Sequence, residues 1–266
     1  MPAFSTVWAV QANENNRFWS RVANRSRSFF RDTTNGVTGL CPDYSSFTGA
    51  ATARGGSEHL YFRFDAWRCA QNIAMDYAWL GGAAWAAAGV GEDWPSQYAN
   101  RLHSFFASKD LAGYGNQYTL DGNTTLSSTH SAGLVAMNAV AALAATDATA
   151  WSFVEALWEE KIPTGRFRYY DGMLYMLGLM HVSGHFRIWT NTSRAIPLPS
   201  PGPGGGGAGG GPTVQCAAAL TSLCRGARQS SAGNCFICCG QHQHQLMAAS
   251  CSQPDFDSFC HQHTVT

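Results

Sequence analysis

Apolar residues recur at helical spacing through most of the first 190 residues of the chain. Alternating strand patterns are scarce there, so the fold class is predicted to be all-α, with antiparallel helical hairpins joined by long loops. Pro95 suits a first helical position, and Ser183-Gly184 supplies a stop signal after the last helix. The predicted helices cover residues 3–12, 15–30, 64–80, 94–108, 131–145, 148–159 and 169–182.

The helix predicted over residues 64–80 has an unusual polar face. At about 100° per residue, Asp65, Arg68, Asn72 and Asp76 fall within a sector of roughly 80°. Nearly all the other side chains are apolar or small, which reverses the proportions of an ordinary surface helix. We therefore expect a helix that is buried on most sides and opens along one line onto a water-filled cleft holding a polar substrate.

Asp65 is the candidate for chemistry within that polar face. It lies in the predicted first turn, where free amide groups and the helix dipole favour negative charge. Arg68 lies three residues later and also favours the ionised carboxylate. A general base that deprotonates water requires this state. From this pair alone, an aspartate that only caps its helix is the more common explanation.

The composition changes sharply after residue 196. Residues 197–212 are mostly proline and glycine, which predicts a linker that cannot pack a core. Residues 213–266 then form a second module, which is too small to fold alone without disulfides or a metal ion. It contains seven of the nine cysteines: Cys216, Cys224, Cys235, Cys238, Cys239, Cys251 and Cys260.

Two explanations of this cysteine-rich module compete. Six cysteines could form three disulfides in any of 15 connectivities, with Cys239 supernumerary as a free thiol, a link to another chain or a replacement for Cys238. Alternatively, Cys235 and Cys238 could bind zinc with nearby histidines, which would leave neighbouring cysteines without partners. We expect disulfides and no metal ion. The histidines in question are His242, His244, His261 and His263.

Charge and targeting signals narrow the function classes. The 17 basic and 17 acidic residues cancel, and charged residues make up only 13% of the chain, so no nucleic-acid or membrane partner is expected. No apolar run approaches the roughly 18 residues of a spanning helix, and no signal peptide is visible. Sequons at Asn24, Asn123 and Asn191, together with the cysteine-rich module, predict a secreted protein.

Several segments, in order, resemble glycoside hydrolase family 8, the inverting β-1,4-glycan hydrolases. Residues 62–80 are similar to the helix that bears the general base in that family. The likeness covers roughly residues 1–190 and is closest to the branch acting on xylan and xylo-oligosaccharides, which includes reducing-end xylose-releasing exo-oligoxylanases. The other similar segments are residues 39–44, 133–139, 163–171 and 183–189.

The resemblance implies a fold and a set of site residues. Residues 1–196 would be the C-terminal part of a catalytic domain, a partial (α/α)6 barrel of three to four helical hairpins. Asp65 would be the general base, and no cofactor is implied. Without the resemblance, core packing is slightly favoured for the consecutive tyrosines Tyr169 and Tyr170. Asp171 could equally cap its helix, and His130 could be an ordinary loop residue. The implied substrate contacts are Arg68, Tyr169, Tyr170, Asp171, His130 and Tyr44.

One departure from the family pattern bears on activity. In the family, the general acid is a glutamate far upstream of the base. A second aspartate, from the first half of the barrel, helps to bind and distort the sugar at the point of cleavage. Neither motif is found in this sequence, although inverting hydrolysis needs two carboxyl groups. We therefore expect an inverting glycosidase for xylan or xylo-oligosaccharides that lacks this acid, or alternatively a non-catalytic glycan-binding protein built on a truncated barrel.

Overall fold

The computed structural model describes residues 1–189 and 214–230, and single positions beyond them. The chain splits into two compact units, Met1–Ser200 and Pro201–Thr266. The predicted linker at 197–212 lies outside the described residues, as does Asn191. The further described positions are 235, 238, 239, 242, 245, 246, 249–251, 255, 256, 259 and 260.

Residues 1–189 fold into seven α-helices, and each of them was predicted from the sequence. Two 3₁₀ helices, Ser57–Leu60 and Phe64–Trp67, precede the third α-helix. The predicted helix at 131–145 stops early, because residues 142–144 continue as tighter turns with hydrogen bonds from residue i to i−3. The α-helices are α1 Pro2–Gln11, α2 Asn16–Thr33, α3 Arg68–Ala87, α4 Trp94–Ala107, α5 Ala132–Ala141, α6 Ala150–Glu159 and α7 Arg168–Val182.

The helices pack as a row of pairs. α1 lies against α2, and both contact α3; α3 contacts α4 and α5; α5 contacts α6 and α7. Residues 133–141 of α5 are all buried, because neighbouring helices cover this apolar, small-residue helix on most sides. Gly178 of α7 faces Ala136 of α5 so closely that an added Cβ would lie 2.8 Å from the alanine Cβ. The core of this unit is therefore centred on α3 and α5.

A short β-hairpin was not predicted. Strands β1 Gln117–Tyr118 and β2 Thr125–Ser127 pair in antiparallel fashion. Tyr118 also exchanges two backbone hydrogen bonds with Phe62, at 2.9 and 3.1 Å. This bridge fixes the chain just before the turn that carries Asp65.

The prediction that Asp76 opens onto a cleft is wrong. Its carboxylate is fully buried and receives two hydrogen bonds from Arg27 of α2, at 2.8 and 3.0 Å. Arg27 also donates to Thr6 of α1 at 2.8 Å. The polar sector of the helix does exist, but α1 and α2 cover its C-terminal half, and helical periodicity cannot show which element covers a face.

The second unit contains helix α8, Val214–Ser230, and three disulfides. These are Cys216–Cys251, Cys224–Cys238 and Cys235–Cys260. Cys239 remains a buried thiol, so the prediction of three disulfides with Cys239 supernumerary is confirmed. The zinc alternative fails at Cys235 and Cys238, because both sulfur atoms are used in disulfides. Within the described residues, no helix is both long and apolar enough to cross a membrane.

Candidate active site

Asp65 lies in the one-turn 3₁₀ helix Phe64–Trp67, directly before α3 begins at Arg68. The sequence predicted that the α-helix begins at residue 64, but residues 64–67 form a tighter 3₁₀ turn and the α-helix begins at Arg68. Phe64 has a φ of +30°, a left-handed conformation that is costly for a residue with a Cβ. The side chain of Asp65 is 46% exposed, so this turn presents the carboxylate to solvent.

The predicted partnership between Asp65 and Arg68 is confirmed. Oδ1 of Asp65 lies 2.6 Å from Nη2 of Arg68, and the arginine side chain is 44% exposed. An ion pair this exposed contributes little to folding. Its effect is to orient the carboxylate of Asp65. Asn72, one turn further along α3, donates to the carbonyl of Arg68 at 2.9 Å.

Asp43 holds the backbone of Asp65 through a hydrogen bond, and this role was not predicted from the sequence. The backbone N–H of Asp65 donates to Oδ1 of Asp43 at 3.0 Å. The other oxygen of Asp43 lies 2.5 Å from Nδ1 of His59, and the Asp43 side chain is only 3% exposed. His59 in turn stacks on Tyr44 with ring centroids 4.0 Å apart. Asp43 lies in the 39–44 segment that resembles the family, and that was the available signal.

Tyr170 braces the same turn from the start of α7. Its hydroxyl donates to the carbonyl of Phe64 at 2.7 Å, and its ring lies 5.9 Å from that of Trp67. Burial raises the pKa of Tyr170 well above its usual value, so the hydroxyl keeps its proton and remains a donor. Trp67 is anchored by its own N–H on the carbonyl of Asn116 at 3.2 Å. The Tyr170 hydroxyl is thus committed to the protein, and sugar contact by its ring stays a prediction.

Two other predicted contact residues are open to solvent. Tyr169 is 80% exposed at the start of α7, and Tyr44 is 40% exposed on top of His59. Aromatic rings placed in this way can stack on the apolar face of a sugar. Their assignment as substrate contacts stays a prediction.

Asp171 and His130 lie where α5 and α7 begin. Oδ1 of Asp171 accepts the N–H of Gly133 at 3.3 Å, and burial raises the pKa of Asp171. Nδ1 of His130 lies 2.8 Å from the carbonyl of Tyr114, and Nε2 lies 3.9 Å from Glu160. Glu160 had no sequence context that singled it out. Both predicted residues therefore have structural partners, and their sugar contacts stay predictions.

These contacts bring several chain segments to one end of the helix row. Phe64 and Tyr170 join the starts of α3 and α7, while Gly133 and Asp171 join the starts of α5 and α7. Helix N-termini carry partial positive charge. An exposed carboxylate with an arginine partner and exposed aromatic rings together suit the binding of a polyhydroxy substrate and of a water molecule beside it.

The family model for glycosyl hydrolases family 8 matches residues 2–184 of this chain. The chain belongs to this family. The expected resemblance is therefore confirmed, and the row of helical hairpins is part of the (α/α)6 barrel of the family.

Individual relatives agree with this assignment. The chain is 34% identical over 192 residues to the reducing-end xylose-releasing exo-oligoxylanase of Paenibacillus barcinonensis, covering 71% of this chain and 48% of that protein. It is 27% identical to endoglucanase C of Ruminiclostridium cellulolyticum, covering 68% of this chain and 37% of that one. A family 8 xylobiose complex from Teredinibacter turnerae superposes with a TM-score of 0.63 at 38% identity, covering 70% and 45% of the two chains. The chain thus spans about half the length of the relatives it matches.

Proposed function

We propose that this chain carries the general base of an inverting glycosidase that cleaves β-1,4-linked glycans, with xylan or xylo-oligosaccharides as substrate. The observation that carries the proposal is the setting of Asp65. Its carboxylate is half-exposed and paired with Arg68, while its backbone is held by the buried carboxylate of Asp43. The names of the relatives favour xylose-based substrates, and the endoglucanases among them make cellulose the competing choice.

In this mechanism, Asp65 takes a proton from a water molecule that attacks the anomeric carbon on the face opposite the leaving oxygen. Arg68 orients the carboxylate through the ion pair between the two side chains. Tyr170 and Asp43 act as positioning residues, because they bind the carbonyl and the N–H of the peptide group that joins Phe64 to Asp65. Tyr169 and Tyr44 offer exposed rings for the sugar. None of these steps calls for a cofactor.

We do not assign the general acid to either of the two carboxyl groups near this turn, Asp43 and Asp171. Asp43 is committed to His59 and to the N–H of Asp65, and Asp171 to the N–H of Gly133. Because the chain spans about half the length of its relatives, we propose that the acid comes from the remainder of a complete family barrel. The described residues then hold one of the two carboxyl groups that inversion requires.

An activated substrate separates the base from the acid. Fluoride leaves without a proton from an acid, so β-xylobiosyl fluoride needs only the attacking water and its base. We expect the chain to release fluoride from this compound and to form α-xylobiose by inversion, but to release no reducing sugar from xylohexaose. A fluoride electrode measures the rate, and proton NMR identifies the first anomer formed.

Two variants make this test specific. Asp65→Asn is expected to abolish fluoride release while calorimetric binding of xylohexaose persists, because the shape of the site is kept. Glu155→Gln, an exposed carboxylate on α6, is the matched control and is expected to behave like the parent. Equal fluoride release by the parent and Asp65→Asn would refute the base assignment. Binding without any fluoride release would favour the glycan-binding alternative.

We also propose that the protein is exported. The support is the second unit, which contains three disulfides. Disulfides persist in oxidising compartments and are rare in the cytosol. Secretion of the natural protein into the medium, measured with an antibody to the chain, is the expected outcome.

A further inference from the structure

His59 makes two side-chain contacts next to the candidate active site. Its Nδ1 lies 2.5 Å from Oδ2 of Asp43. Because a carboxylate accepts hydrogen bonds and does not donate them, Nδ1 is the donor in this contact. One face of the same ring stacks on Tyr44, with ring centroids 4.0 Å apart and an interplanar angle of 5°. The edge and the face of one imidazole ring thus contact two different neighbours.

Backbone hydrogen bonds hold these residues together independently of the His59 side chain. His59 lies in the 3₁₀ helix Ser57–Leu60. Its carbonyl accepts the N–H of Tyr44 at 3.1 Å, and the carbonyl of Tyr61 accepts the N–H of Asp43 at 2.9 Å. A substitution at His59 can therefore remove one side-chain contact at a time while the two backbone segments stay paired.

We propose that His59 is a positioning residue with two separable roles: its Nδ1 edge holds the Asp43 carboxylate that fixes the backbone of Asp65, and its face supports Tyr44 as a stacking surface for a sugar. This inference rests on the proposed function, in which Asp65 is the base and Tyr44 contacts the glycan. His59 touches neither the attacking water nor the sugar in this scheme, and it acts only through Asp43 and Tyr44.

The role of the Nδ1 edge follows from the burial of Asp43. The Asp43 side chain is only 3% exposed, and its two oxygens are divided between Nδ1 of His59 and the N–H of Asp65. A buried carboxylate that loses a donor is costly unless it finds water or another donor. Loss of the His59 donor should therefore draw the carboxylate away from the Asp65 N–H, and the turn that presents Asp65 should loosen.

The role of the ring face follows from the exposure of Tyr44. Tyr44 is 40% exposed, and His59 covers one face of its ring. An exposed ring that rotates freely loses this freedom when a ligand binds, whereas a ring already stacked on a flat partner has lost it beforehand. His59 should therefore lower the entropic cost of stacking a sugar on the other face of Tyr44.

Two substitutions separate the two roles. His59→Asn keeps an amide N–H donor near the position of Nδ1 but removes the ring. The dissociation constant for xylohexaose should rise about threefold to tenfold, while kcat for fluoride release from β-xylobiosyl fluoride stays near that of the parent. His59→Phe keeps a flat ring but removes the donor, so xylohexaose binding should stay near that of the parent while kcat falls about tenfold. Calorimetry and the fluoride electrode measure the two quantities.

Hydrogen exchange at the Asp65 amide tests the Nδ1 role without any turnover. Measured by NMR on the full 266-residue chain, this amide should exchange about tenfold faster in His59→Phe than in the parent. In His59→Asn it should exchange at the rate of the parent. A parent chain that releases no fluoride would count against the proposed function, whereas the exchange rates at Asp65 would still decide the role of His59.

His185, an exposed histidine after α7, supplies matched controls. His185→Asn and His185→Phe should equal the parent in xylohexaose binding, fluoride release and Asp65 exchange. Equal losses of binding and turnover in the two His59 variants, or parent behaviour in both, would overturn the proposal. If His59→Phe does not fold because Asp43 is one donor short, His59→Asn still tests the ring role, and unchanged xylohexaose binding in that variant would refute it.

Discussion

Arg27 of α2 and Asp76 of α3 form a two-point ion pair, with Nε to Oδ2 at 2.8 Å and Nη2 to Oδ1 at 3.0 Å. Their side chains are 3% and 0% exposed. The pair closes the junction of the first two helices with α3, because Arg27 also donates to Thr6 on α1. It is a structural pair, and this is why Asp76 does not belong to the site despite sharing a helix face with Asp65.

Breaking this pair should be costly. Arg27→Met leaves a buried carboxylate without its partner and is expected to lower the free energy of unfolding by about 3–5 kcal/mol. The double change Arg27→Met with Asp76→Leu removes both charges and should be more stable than the single variant. Urea unfolding followed by tryptophan fluorescence measures both. A single variant within about 1 kcal/mol of the parent would contradict a structural role for the pair.

Two glycines of α7 should respond in opposite ways to alanine. At Gly178 a Cβ would lie 2.8 Å from the Cβ of Ala136 and 3.2 Å from Leu157. Gly178→Ala should therefore cost about 1–3 kcal/mol by forcing α5 and α7 apart. Gly172 has open space around it, so Gly172→Ala should stabilise the helix by about 0.5–1 kcal/mol. Thermal unfolding of the two variants measures this, and destabilisation by both would show that helix packing is not the cause.

The hydroxyl of Tyr170 should matter for activity more than for stability. Tyr170→Phe removes the hydrogen bond to the Phe64 carbonyl and should cost about 1 kcal/mol of stability. Loosening the Asp65 turn should also lower fluoride release by about tenfold, because rates fall steeply when a catalytic group is misplaced.

The control for this variant is Tyr175→Phe, which also removes a hydrogen bond to a backbone carbonyl, that of Glu160 at 3.3 Å. It should cost similar stability without slowing fluoride release. If the two variants lose fluoride release to the same extent, Tyr170 has no special link to the base.

Acid should destabilise the first unit through His181. Burial lowers the pKa of His181 to about 4, and its Nε2 lies 3.1 Å from Nε2 of Gln71. Between about pH 6.5 and pH 4 the unfolded chain binds a proton at this histidine and the folded chain does not. The stability contributed by the neutral ring is therefore complete above pH 6.5 and declines as the pH falls to 4, by up to about 3 kcal/mol.

The free energy of unfolding, measured with urea across this pH range, should fall less steeply with decreasing pH in His181→Gln than in the parent. His185→Gln removes an exposed histidine nearby and should keep the dependence of the parent. Identical pH dependence in the parent and His181→Gln would show that folding does not lower the pKa of His181.

The sequence by itself determined the local features of this protein. Each α-helix of residues 1–189 follows from apolar spacing and stop signals. The pairing of Asp65 with Arg68 follows from their three-residue spacing. The number of disulfides in the second unit, with Cys239 left over, follows from cysteine counting in a module too small to fold without them.

Only the tertiary structure decided which distant residues complete the site. Asp43 reaches the Asp65 backbone across 22 residues, Arg27 reaches Asp76 across 49, and Tyr170 reaches Phe64 across 106. Helical periodicity fixes the direction in which a side chain leaves its helix, but not which element covers that direction. The partners of Asp76 and of the Tyr170 hydroxyl are set by the packing of α1, α2 and α7 around α3, and that packing depends on the whole core at once.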